Sequence, residues 1–174
     1  MRTKVGSFLA AAVLAGCAAP EHAGHAHSPY AGQESRGIKA LSAEEERGYA
    51  EGAGMGFAKA AELNGYPGPA HVLENADALG LTPQQRTAIE FVMNAHKAEA
   101  RALGDQIVHR ERELDALFSA RKATPGEIDT ATFTIGLLHA KLRASHLKAH
   151  LATTAVLTPE QVERYNRARG YAGR

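Results

Sequence analysis

The chain has 174 residues, with 20 basic against 19 acidic side chains, nine histidines, one cysteine and no tryptophan. A near-neutral balance excludes a nucleic-acid partner held by bulk charge, and a single cysteine excludes an internal disulfide. Alanine and leucine are abundant and β-branched runs are few, which favours helices over sheet.

Arg2 and Lys4 precede an apolar run from Val5 to Val13, closed by Leu14-Ala15-Gly16-Cys17. This is the pattern of a bacterial lipoprotein signal, with small residues before the cut and a cysteine thiol to take the lipid. The run is too short to span a bilayer as a helix. Residues 1–16 are therefore read as signal peptide, and Cys17 as the lipidated first residue of the mature chain. Loss of Arg2 and Lys4 leaves 18 basic against 19 acidic residues, a net charge of −1. Removal of 16 of the 174 residues leaves 158, enough for one domain. Ala18, rather than Asp, resembles the pattern sorted onward to the outer membrane of Gram-negative bacteria. Residues 17–40 carry Pro20, Gly24, Pro29, Gly32 and Gly37 without an apolar period, which predicts a flexible, disordered tether.

The folded domain is expected over residues 41–174. Ser42 and Glu45 have the spacing of a capping box and start a first helix, expected to reach Leu63. Gly48, Gly52 and Gly56 recur every fourth residue there. They either form a smooth stripe for close approach to another helix or break the segment into a loop. Asn64 to Pro69 is a turn, and a short helix follows from about Ala70 to Leu79, ended by Gly80. Thr82, Pro83 and Gln85 then start a helix of roughly 37 residues, about 55 Å long, that runs to Ser119. Ile89, Val92, His96, Leu103, Ile107, Leu114 and Leu117 line one face of it. Thr124, Pro125 and Glu127 repeat the start signal for a second long helix, to about Ala155. Its main stripe is Ile128, Ile135, Leu138, Leu142 and Val156, and Phe133, Leu137, Leu147 and Leu151 form another. Thr158, Pro159 and Gln161 open a final short helix. The fold expected is all-α: a long antiparallel helical hairpin with shorter flanking helices.

The segments Leu81-Thr82-Pro83-Gln84-Gln85 and Leu157-Thr158-Pro159-Glu160-Gln161 share an LTxxQ pattern, carried by Leu81, Thr82, Gln85, Leu157, Thr158 and Gln161. From Leu73 to Arg169 the chain resembles the Spy/CpxP group of periplasmic stress proteins and their ZraP- and CnrX-like heavy-metal resistance and sensor relatives. That resemblance implies a small helical unit, often dimeric, without a nucleotide. Such proteins bind unfolded clients, bind metal or restrain a signalling partner. The metal-binding relatives also draw ligands from an N-terminal helix, and Ser42 to Leu63 holds no histidine. The lipid signal and the glycine-rich first helix are departures from the group.

His22, His25 and His27 fall in the tether, where a metal would have to pay the ordering entropy of a loose chelate. His109 lies opposite the apolar stripe, and His71 has no partner visible in sequence. His96 lies on the apolar face of the first long helix, and His139, His146 and His150 cluster on that of the second. His146 and His150 are four apart, so their rings stack one turn over another. A hairpin pivoting near Arg121 and Lys122 sets His96 opposite Leu147, level with His146 and His150, with Glu99 one turn further. A lone histidine on such a face is ordinarily a hydrogen-bonded, half-buried side chain. Three at one level, with a carboxylate nearby, suit zinc, nickel, cobalt or copper. His139, two turns nearer the tip, is a weaker ligand. The same imidazoles would also respond to acid.

These features point to a non-enzymatic envelope stress lipoprotein that binds unfolded proteins, heavy-metal ions or both. Phe133, Leu137, Leu147 and Leu151 are the candidate client surface, unless they pack against another helix or a second copy. A scaffold docking a partner through the glycine stripe is one alternative. A metal-dependent helical-bundle enzyme is another, although no HExxH, nucleophile elbow or phosphate loop is present.

Overall fold

Two long helices and their caps set the architecture. The computed structural model describes residues 28–171. Of a first unit, Met1–Ala31, only Ser28–Ala31 fall in that range, as one turn closed by the Ala31 N–H on the Ser28 carbonyl. The second unit, Gly32–Arg174, holds the helices. The signal peptide, Cys17, His22, His25 and His27 lie outside the described residues.

Helix α5 spans Pro83–Ser119 and α6 spans Pro125–Val156, as their start signals predict. Thr82 and Thr124 each accept from the N–H three residues on, and Gln85 and Glu127 accept from the N–H of the capping residue in return. Between the helices Arg121 takes a left-handed φ of 56°, so the pivot lies where expected. Helix α7, Pro159–Ala168, begins with the same box from Thr158 and Gln161. The short helices are α1 (Ala43–Glu51), α2 (Lys59–Glu62), α3 (Pro69–Glu74) and α4 (Ala76–Leu79). Among the described residues no strand occurs and no helix is long and apolar enough to cross a membrane.

The expected single helix from Ser42 to Leu63 is broken. Gly52 turns left-handed (φ 61°) and returns its N–H to the carbonyls of Gly48 and Tyr49, ending α1. Gly56 is also left-handed (φ 78°), so Gly52 and Gly56 belong to a loop and only Gly48 stays on a helix. The close helix crossing is made instead by Gly104 of α5, where a Cβ would lie 2.3 Å from the Tyr49 carbonyl oxygen. The folded unit also starts before residue 41. Ile38 is buried in the core, and the Lys39 N–H donates to Asp115 Oδ1. One apolar residue in a polar stretch has no period to announce it.

Apolar packing falls into two clusters. One joins Ile38, Leu41 and Tyr49 to Leu103, Ile107, Leu138 and Leu142. The other joins Val72 and Leu79 to Ile89 and Tyr165, with Leu81 and Leu157 against it. At this second cluster the two LTxxQ segments meet. Gln85 Nε2 donates to Gln161 Oε1 at 2.8 Å, and Gln161 Nε2 donates to Gln85 Oε1 at 3.0 Å. Each Nε2 gives its second hydrogen to a carbonyl, Val156 from Gln85 and Gly80 from Gln161. Each Oε1 also accepts the N–H of its own capping threonine. Both amides are fully satisfied.

Candidate metal centre

Along the hairpin, His96 and Met93 of α5 and His146 and His150 of α6 line one cavity of about 240 Å³, closed on its other side by Gly68 and His71. The antiparallel register brings residues far apart in sequence to one level, since α5 and α6 bury the faces that carry His96 and His146. The rings of His96 and His146 meet edge to face, with centroids 4.4 Å apart. Phe57, from the loop after α1, stacks on His146 from the other side at 5.4 Å.

The hydrogen bonds assign the tautomers. Ser145 Oγ gives its only hydrogen to Glu99 Oε2 at 2.6 Å. It must therefore accept from His96 Nδ1, 3.0 Å away, which leaves a lone pair on His96 Nε2. His150 Nδ1 lies 2.7 Å from the Tyr66 carbonyl oxygen, which only accepts, so this ring too carries its hydrogen on Nδ1 and a lone pair on Nε2. His146 is 4 % exposed, and its Nε2 is buried without a hydrogen-bond partner. Burial pushes the His146 imidazole down to about 4, with the neighbouring His96 and His150 adding to the effect. Burial also lowers His96, against an opposing pull from Glu99. The His146 ring is therefore neutral at neutral pH.

Gly68 guards this space. A Cβ there would stand 2.8 Å from His150 Cε1 and Nε2. Nothing in the sequence marks it beyond a turn. The sequence does not mark Ser145 or the Tyr66 carbonyl either, since both lie outside any ligand pattern, and Met93 reads as packing.

Glu99 reaches the cluster through Ser145. His139 lies apart from the cavity, its ring 5.8 Å from that of Tyr49. His71 pairs with Glu74 at 2.9 Å, and His109 with Glu113 at 3.2 Å. Among the described residues no three His, Cys, Asp or Glu side chains are already arranged to hold a metal. On the outer face of α6, Phe133 (74 % exposed), Leu137 and Leu151 are uncovered, while Leu147 is half-buried. Phe91 of α5 is equally bare at 75 %.

Residues 52–164, which include the whole histidine cluster, match the model of a protein family described as heavy-metal resistance. No curated protein and no solved structure matches the chain significantly.

Proposed function

The chain belongs to the heavy-metal resistance family, and on that premise we propose that it is a non-enzymatic, envelope-side protein that captures a divalent transition metal at His96, His146 and His150. The observation that carries this reading is the buried, unpartnered Nε2 of His146, in one cavity with two rings whose tautomers leave their own Nε2 lone pairs free. An unsatisfied buried polar atom costs about 1–3 kcal/mol, and a metal bond would offset that cost. Ligation needs neutral imidazole, and the His146 ring is already neutral well below neutral pH. Neutral imidazoles suit zinc, nickel, cobalt or copper(II). Side-chain rotation would bring the three rings together around an ion. Ser145 and Glu99 would hold His96 in register, as carboxylates behind histidine ligands commonly do. Cys17 would tie the domain to the membrane by its lipid.

The test is a zinc titration of the chain beside His146→Ala. Tight binding that disappears in the variant supports the centre, and equal affinity in both removes it.

A second role is supported by the row of Phe133, Leu137 and Leu151, to which Phe91 adds another uncovered ring. Exposed apolar groups of this kind suit unfolded clients. Suppression of the aggregation of a denatured client at stoichiometric ratio, without ATP, would support it. Unchanged suppression by Phe133→Ser together with Leu137→Ser would remove that surface from the role.

A further inference from the structure

Glu62 closes α2, and its side chain is largely buried beside α6 and the end of α7. Tyr165 donates its hydroxyl to Glu62 Oε1 at 2.6 Å, and Tyr171 donates to the same oxygen at 3.0 Å. Arg169 Nε lies 3.6 Å from that oxygen as well. All three groups reach Oε1. The other oxygen, Oε2, is buried and has no hydrogen-bond partner. His150 Nδ1 lies 3.6 Å from it, too far for a hydrogen bond while that N–H is given to the Tyr66 carbonyl.

A buried carboxylate oxygen without a donor is costly, and the two tyrosines do not account for its position. Histidines that bind a metal through one nitrogen usually give the other N–H to a carboxylate, which orients the ring and makes it a better ligand. Here the ring, its free Nε2 and a waiting carboxylate oxygen stand within one small rotation of that arrangement.

We propose that Glu62 is a positioning residue for His150 and couples the histidine centre to α7. With Nε2 engaged, His150 turns its Nδ1–H from the Tyr66 carbonyl to Glu62 Oε2. Glu62 is then held from both sides, by His150 on one oxygen and by Tyr165 and Tyr171 on the other, so α7 becomes more ordered. Linkage makes the effect reciprocal: whatever orders α7 raises affinity at the centre. The inference rests on the metal-binding reading of His96, His146 and His150.

The test measures zinc affinity by calorimetry and amide hydrogen exchange of α7, with and without saturating zinc. In the unaltered chain zinc slows exchange in α7. Glu62→Gln lowers zinc affinity by roughly 10–100-fold and, once saturated, leaves α7 exchange at its zinc-free rate. Glu62→Asp keeps the charge but draws it back by one methylene, and falls between the two even if the glutamine variant folds poorly. Two outcomes overturn the coupling while leaving the centre standing: equal zinc affinity in Glu62→Gln, or equal slowing of α7 in both chains at saturation. Failure of the unaltered chain to bind zinc overturns the centre itself and Glu62's role with it.

Discussion

The histidine layer has two unlike sides. On the hairpin side His96, Ser145 and Glu99 all stand on α5 and α6, and their order follows from one helix lying antiparallel to the other. On the flanking side His150 is shaped by the Tyr66 carbonyl, Gly68 and Glu62, which come from turns and a four-residue helix. The hairpin holds its ring by regular geometry. The flanking segments hold theirs by single atoms, and any one of these can be removed separately.

The largest expected effect concerns His146, which stands between the two sides. Its imidazole is lowered from 6.5 to about 4 by burial. The unfolded chain takes up a proton as the pH falls below 6.5, while the folded ring refuses it. Stability that is fully present above 6.5 should therefore decline by about 3 kcal/mol as the pH falls toward 4. Urea midpoints at pH 7 and pH 4 would show the loss, and His146→Gln should flatten it.

Gly68→Ala tests the flanking side alone. The backbone there (φ −83°, ψ 147°) suits any residue, so the variant should fold. Its methyl group would press on His150 Nε2, and zinc affinity should drop by roughly 100-fold with the circular dichroism unchanged. Binding equal to that of the unaltered chain would take His150 out of the centre.

Ser145→Ala tests the hairpin side and should cost least. It cuts the link from Glu99 to His96, so zinc affinity should fall by roughly tenfold, measured under the same conditions. A loss larger than that of Gly68→Ala would reverse the ranking of the two sides.

The same contrast explains what could be read without a structure. The three helix starts at Thr82, Thr124 and Thr158 were legible because capping chemistry is local. The meeting of His96 with His146 was legible because helix period and hairpin pivot together fix a level. Glu62, Gly68 and Tyr66 were not legible, because their positions depend on how a loop without period folds back over α6. Gly52 was ambiguous for a related reason. A glycine repeat looks alike as a stripe and as a break, and only its left-handed φ decides. His139 shared its helix face with the others but not their level, so Tyr49 took it as a neighbour.

The mutual grip of Gln85 and Gln161 joins positions 76 residues apart. Each amide completes the cap of its own helix and holds the other amide by two hydrogen bonds, so neither helix start can loosen without unlatching its twin. The repeated motif is thus a single clasp sewn in two places, and it fastens the end of the chain to the root of the hairpin.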